Sequence, residues 1–581
     1  MHGVDLPAAG ARASAEADAR LEALLAADWR DYQERHPVAA SLDGVRAADD
    51  RWDDRSPEAL TAEAAHQRDV LARLEDFARE PLSEAGRLNR ELYAGQLRDA
   101  LRGHELGTHL LALSPRDGVQ TYAQYASLLP FASATGYEGW LARLETYPRA
   151  VAQTIALLRE AIGRGLLWPR SSMERLPAQL DRLLVAPEAS PFYAPFAKMA
   201  AAVPAAEAER LRERARSAIA GGVTAALREL RAFVVEQYLP AAPGEVGLAH
   251  LPGGDELYAY YVRTQTTTDL TPDAIHELGL REVARIRAAM EELAPRTGYC
   301  GSLREVFTQL REDPANYCAT AADLLLAYRD MSKRIDPELV RVFSLLPRLP
   351  YGVVPIGAAI APDTTTAYYY PGALDGSRAG MYYVNLYRPE ARPIYEIPVL
   401  SLHESVPGHH LQIALAQELT GLPAFRRVTL AYTAYTEGWG LYSESLGDEM
   451  GLYDDPKDKF GALTYEMWRA VRLVVDTGLH ARGWSRQRAV DYFLDNAAKT
   501  RLDVENEIDR DITYPGQALA YKIGQLKILE LRARAEARLG AAFDVRAFHQ
   551  VVLEQGALPL DVLERRVDGW LADAESGRPA S

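Results

Sequence analysis

Cysteine is almost absent from this chain of 581 residues: Cys300 and Cys318 are the only two, and no CxxC pair occurs. That scarcity disfavours a disulfide framework and a thiolate zinc cluster, so a metal site would have to draw on histidine and carboxylates. A Cys300–Cys318 bridge is open, but two buried free thiols fit the sequence better. Positive charge is also in deficit, with 65 Lys and Arg against 81 Asp and Glu, a formal net charge of −16. Such a balance disfavours nucleic acid and anionic membrane as partners. No uninterrupted apolar run reaches about 18 residues, so no membrane span is expected. The opening stretch MHGVDLPAAGARASAEADARLEALL lacks a basic segment followed by an apolar one, and a cytoplasmic protein without a signal peptide is expected. Fixed-period repeats are missing too.

What is present is helix-forming sequence. Residues 14–235 are rich in Ala, Leu, Glu and Arg, with apolar side chains at helical spacing, as in Leu21, Leu24, Leu25 and Trp29. Breaks near Pro115, Pro130, Pro148, Pro169 and Pro187 divide this region into helices. A change of composition over 238–254 separates an N-terminal helical region, 1–240, from a catalytic region, 241–581, the two interwoven in one body. The run LYAYYVRTQTTT (257–268) reads as a strand. Thr271 and Pro272 form a helix start, with the helix running to about Leu293. Residues 351–361 and 380–387 read as strands joined by a loop, and the chain is mainly helical from Ile394 onward. The fold class is therefore mostly α with a small β-sheet. The 380–387 strand is assigned to an exposed edge that could hold an extended peptide by its main chain.

Three of the twelve histidines fall in LHESVPGHHLQ (402–412). The string is close to HExxH, in which two histidines one helical turn apart chelate zinc and the glutamate activates water. Residues four apart lie about 40° apart around a helix, so both imidazoles reach one ion. Here the fifth position is Pro407, and on a regular helix His409 would point about 120° away from His403. Pro407 and Gly408 can loop out and return His409 to the ligand position. This favours His409 over His410 as second ligand and leaves His410 to face substrate or to support the ligands. A regular, unbroken helix over 403–409 would rule the assignment out. By contrast, His276-Glu277 starts like HExxH but has Leu280 at the fifth place, and His276 is read as structural.

A third ligand must come from elsewhere, with one coordination position left open. The helical stretch 432–450 presents Glu437 and Glu444 on one face, seven residues apart. Its aromatic neighbours imply burial, and a buried carboxylate needs a partner. Glu437 is the expected zinc ligand, and Glu444 the group that orients a ligating histidine through its other ring nitrogen. Over 468–480, Trp468, Arg472, Asp476 and His480 make a polar stripe at four-residue spacing. Arg472 and Asp476 are expected to pair, and His480 is a candidate for substrate contact. Tyr514, Gln517 and Tyr521 follow in TYPGQALAYKIGQ (513–525).

At HESVPGHHLQ, TEGWGLYSE, VVDTGLHARGWS, YPGQALAYKIGQ and TTDLTPDAIHELGL the chain resembles the bacterial family catalogued as domain of unknown function 885. That family is thought to resemble glutamate-zincin metallopeptidases, such as thimet-type oligopeptidases and thermostable carboxypeptidases. The resemblance implies a two-lobed helical body around a deep cleft, with Glu437 as the zinc-binding member of a Glu-x6-Glu pair. A Gly-x4-Tyr match at Gly516 implies Tyr521 as the oxyanion donor. The expected function is then peptide-bond hydrolysis by zinc-activated water, with Zn2+ on His403, His409 and Glu437 and with Glu404 as general base. Two alternatives are a metal-dependent hydrolase of a small modified amide, and an inactive peptidase scaffold that binds peptides.

Overall fold

The computed structural model describes residues 9–358, 360–428 and 431–576. It divides into two compact units: one reaches Glu245 and includes Pro423–Phe425, and the other comprises Val246–Leu422 and the residues from Arg426 onward.

The first unit is helical; its long elements include α1 (Ala9–Arg35), α2 (Pro57–Asp76), α3 (Glu84–Leu106), α4 (Ala134–Arg164) and a continuous helical run over 205–241 that contains two π-helical segments. Helix α4 corrects one expectation, because it runs straight through Pro148. Its buried side chains Trp140, Leu141, Leu144, Tyr147, Val151, Ile155 and Leu158 continue at three- and four-residue spacing across the proline. Packing of that stripe outweighs the roughly 3 kcal/mol that an interior proline costs.

The second unit contains α5 (Gly254–Thr266), α6 (Pro272–Leu293), α7 (Ala321–Ile335), the strands β1 (Tyr351–Pro355), β2 (Ala367–Tyr370) and β3 (Gly380–Val384), then α8 (Ile397–Glu404), α9 (His409–Glu418), α10 (Thr433–Ser445), α11 (Pro456–Ala481), α12 (Arg501–Thr513) and α13 (Gln517–Leu539). Helix α6 starts as expected: the Thr271 side chain accepts from the Ala274 amide and Pro272 takes the first turn. Helix α5 stands where a strand was expected. Its buried residues Leu257, Tyr258, Val262 and Thr266 keep a helical spacing, so burial against neighbouring helices overrides β-type composition. Among the described residues no helix is long and apolar enough to cross a membrane. The two cysteines are free, as expected, but Cys300 is exposed and Cys318 only half-buried.

The sheet has the order β1-β3-β2, with β1 parallel and β2 antiparallel to β3. Strand β3 is thus central, not the free edge assigned to 380–387. Strand β2, the short AYYY segment, was not expected; it directly precedes the turn-rich stretch PGALDGSRAG. Tyr382 and Val384 of β3 are fully buried, and the Tyr328 ring of α7 meets Tyr382 edge-on at 5.8 Å.

Two helix pairs pack most extensively in the second unit. Helix α6 packs along α11, with Val283, Ile286, Met290, Val471, Val474 and Val475 in one apolar cluster. Helix α10 crosses α13 at Gly438 and Gly524. A Cβ at Gly524 would sit 1.8 Å from the Ala434 carbonyl oxygen, and one at Gly438 would sit 2.5 Å from Gly524. The backbones therefore touch, which fixes α10 against α13 closely. Beyond the crossing, His549 is buried and donates from Nδ1 to the Val342 carbonyl at 2.7 Å, while Tyr442 Oη donates to its Nε2 at 2.7 Å. Burial pushes its pKa down to about 3.

Two outcomes follow. Gly438→Ala and Gly524→Ala will each destabilise the protein by about 1–3 kcal/mol or more. Gly569→Ala, with nothing within 4 Å of the added Cβ, will be neutral or gain up to about 1 kcal/mol. Thermal melting compares the three. His549 stays neutral when folded but takes up a proton below about pH 6.5 when unfolded. Its contribution is therefore complete above that pH and is lost as pH falls towards 3. Urea titrations from pH 7 to 5 will show a smaller loss of stability per pH unit in His549→Gln than in the parent, by up to about 1.4 kcal/mol.

Candidate metal centre

The helix carrying His403 does not continue through the motif. Helix α8 ends at Glu404, residues 405–408 are non-helical, and α9 begins at His409. Ser405 and Gly408 leave the helical region with ψ of −112° and −128°. The break is wider than a two-residue bulge, and its packing explains the residues in it. The Pro407 carbonyl accepts from Trp439 Nε1 at 2.9 Å. A side chain at Gly408 would collide with the His403 carbonyl oxygen, 1.9 Å from the Cβ position. The tight return turns His409 back towards His403, and their rings lie edge-to-face with centroids 4.7 Å apart.

Helix α10 brings Glu437 to the same point. His403, His409 and Glu437 each offer one ligand atom, and these atoms lie within 4.8 Å of one another. Glu437 Oε2 is 3.5 Å from His403 Nε2 and 3.3 Å from His409 Nε2. Gly440, one turn on from Glu437, leaves room for the His403 ring, which a Cβ there would meet at 2.8 Å. These separations are long for charge-assisted hydrogen bonds, which are about 2.7–2.9 Å, and Glu437 Oε2, although buried, makes none. They match the edge of a tetrahedron instead: two ligands each about 2.0–2.1 Å from a zinc ion are about 3.3–3.4 Å apart. Two imidazoles and a carboxylate are also a donor set that zinc takes.

Further contacts orient these donor groups. His403 donates from Nδ1 to Glu444 Oε1 at 2.8 Å, which turns Nε2 towards Glu437. Glu444 in turn is held by Arg469, 3.2 Å away. Burial works against a charge on His403, but the nearby Glu437 carboxylate and the bond to Glu444 outweigh this and raise its pKa to about 9. Burial likewise opposes the Glu437 charge, yet His409 and His403 hold its carboxyl well below the usual range. The pocket is therefore built to hold positive charge.

His410 is not part of the cluster. Its Nε2 donates to the Leu349 carbonyl at 3.0 Å, and Tyr369 Oη of β2 donates to its Nδ1 at 2.9 Å. Burial lowers its pKa to about 4, so it is a neutral link between the motif and the sheet. Glu404 is buried to 8% exposure at the end of α8, beside His403. The Tyr521 ring lies nearly parallel to the His403 ring at 6.2 Å, and its hydroxyl accepts from Gln517 Nε2 at 3.3 Å.

The polar stripe on α11 divides differently from expectation. Arg472 pairs with Glu507, not Asp476, at 2.6 Å, and its guanidinium covers the Tyr521 ring at 4.5 Å. Asp476 accepts from Tyr258 Oη at 2.5 Å and from the Gly516 amide at 3.0 Å, anchoring the start of α13. His480 is fully buried, with Nδ1 accepting from the Leu248 amide and Nε2 donating to the Asp511 carbonyl. Both its nitrogens are engaged by main chain, which leaves none for substrate. Tyr514 is 48% exposed, with Arg510 over its ring at 5.7 Å. His276, set aside on sequence, bonds to Thr477 Oγ1 at 2.8 Å. Arg469 and Arg510 were missed. Arg469 carried a signal, a second arginine three residues before Arg472 in an otherwise apolar helix; Arg510 carried none.

The chain belongs to the bacterial family of unknown function DUF885, whose profile matches residues 37–567. It is similar over 96% of its length to a solved structure described as a "putative lipoprotein" from Colwellia psychrerythraea, with 29% identity, 99% of that chain covered and a TM-score of 0.90. A second, described as a "putative lipoprotein of unknown function" from Shewanella oneidensis, shares the fold at 16% identity and a TM-score of 0.67, with 94% and 99% of the two chains covered. No curated protein matches the chain.

Titration of the metal-free protein with zinc against a chromophoric chelator will give one tight site. His403→Ala, His409→Ala and Glu437→Ala will each abolish it, and His410→Ala will retain it. Glu444→Gln will weaken it by about 10–100-fold.

Proposed function

We propose that the chain is a zinc-dependent hydrolase that cleaves peptide bonds. The observation that carries this reading is the placing of Glu437 Oε2 at 3.3 and 3.5 Å from two imidazole nitrogens, without a hydrogen bond to either. His403, His409 and Glu437 would hold the ion, in an arrangement resembling the glutamate zincins. When bound, zinc polarises a carbonyl and lowers the pKa of water at the site to about 7.

The chain's own groups supply the proton chemistry. Glu404 directly follows His403 in the chain and is buried to 8% exposure. It takes a proton from the attacking water and returns it to the leaving amine. Tyr521, facing the His403 ring, donates its hydroxyl proton to the oxyanion that forms from the carbonyl oxygen.

The sheet favours an extended substrate over a compact one. The outer carbonyl of Val353 in β1 is occupied by Arg329. On the other side, the Asn385 amide bonds the Thr366 carbonyl, so the ladder alternation turns the N–H and C=O of Tyr369 outward. Tyr369 is also the residue that holds His410. A peptide lying along β2 would therefore run beside the ligand helix. A cytoplasmic location fits this reading; both neighbouring structures carry the description "putative lipoprotein", and cell fractionation decides the point.

Zinc-loaded Glu404→Gln will keep its metal and lose peptide hydrolysis by about 10²–10⁴-fold. Activity at the parent's rate in that variant would overturn the mechanism. A parent enzyme that cleaves small amides but no peptide would overturn the substrate class.

A further inference from the structure

We propose that Gln517, locked by Arg510, is the positioning residue that leaves the Tyr521 hydroxyl proton free for the oxyanion. This deepens the peptidase reading and rests on it.

Gln517 and Tyr521 lie one turn apart on α13, and both are buried, at 5% and 8% exposure. The amide of a glutamine can face either way, and its orientation decides what it offers a neighbour. Here Arg510 removes the choice. A guanidinium only donates, and Arg510 bonds the Gln517 side-chain oxygen. The NH2 end must then face Tyr521, 3.3 Å from Oη, and it donates. A phenol oxygen that accepts from this side keeps its single proton for another acceptor. With a carboxylate in place of the amide, the phenol would have to spend that proton on its own support.

The remaining contacts fix the ring. Arg472 lies over its face at 4.5 Å and Arg469 at 5.7 Å, while the His403 ring lies nearly parallel to it at 6.2 Å. Arg510 is itself held by Glu507 at 3.3 Å and Asp511 at 3.5 Å. A hydroxyl whose ring is clamped and whose oxygen is bonded from one side has one direction left for its proton.

Gln517→Glu reverses the bond with little change of shape, since Arg510 can pair with the new carboxylate while that carboxylate captures the phenol proton. Relative to the parent, kcat will fall by about 10²–10³-fold, as in Tyr521→Phe, with KM and zinc content nearly unchanged. The double variant will be no worse than Tyr521→Phe alone. Gln517→Met, which neither donates nor accepts strongly, will retain at least ten times the activity of Gln517→Glu. A readout that needs no turnover is the carbon-13 resonance of ring ζ-labelled tyrosine, assigned to Tyr521 by its loss in Tyr521→Phe. It will move in Gln517→Glu. An unmoved resonance, parent-like kcat in Gln517→Glu, or equal losses in the Met and Glu variants would each overturn the inference. A moved resonance in a protein that cleaves no peptide would sustain the positioning and sink the peptidase reading instead.

Discussion

Everything around the site depends on one carboxylate placed between two imidazoles. Glu437 lies close enough to His403 and His409 to interact strongly, yet too far to hydrogen-bond well. A buried carboxylate left in that position is expensive unless a cation joins it. The surrounding structure serves this placement. Residues 405–408 break the helix so that His409 turns back, Gly440 makes room for the His403 ring, and Glu444 with Arg469 fixes which nitrogen faces inward. The crossing of α10 and α13 at Gly438 and Gly524 then brings Glu437 and Tyr521 towards the same histidine. None of these helices could be moved outward by a side chain's width without separating the three donors.

The clustering of His403, His409 and Glu437 was largely legible because it joins metal-binding residue types at constrained spacings. His403, Glu404 and the histidine pair stood out because three of the chain's twelve histidines fall within eight residues, and Pro407-Gly408 pointed to a local break that the structure contains. Choosing His409 over His410 followed from geometry alone, and the contacts of His410 with Leu349 and Tyr369 explain why it is otherwise employed. Long-range pairing was not legible. Arg472 and Asp476 have ideal spacing for each other on one helix, but their partners, Glu507 and Tyr258, come from segments 35 and 218 residues away in sequence. His480 looked like a functional histidine because it is polar in an apolar helix. Its role is to tie two main-chain segments together.

The fold was legible where periodicity was strong and concealed where packing decided. The start of α6 follows from Thr271 and Pro272 alone. Helix α5 and the passage of α4 through Pro148 do not, because each is settled by partners distant in sequence. The sheet shows both cases: all three strands carry β-branched or aromatic residues, but β2 is only four residues long and adjoins a turn-rich segment. Its order, with β3 in the centre, could only come from three dimensions, and it transfers any substrate-strand role from β3 to β2.

Two imidazoles and one carboxylate are proposed to form a zinc site. X-ray absorption at the zinc edge, on protein loaded with one equivalent, tests it most directly. A zinc ion on His403, His409 and Glu437 will show about four nitrogen or oxygen neighbours near 2.0–2.1 Å, with the outer scattering of two imidazole rings. A sulfur neighbour near 2.3 Å, or a shell without imidazole scattering, would contradict it.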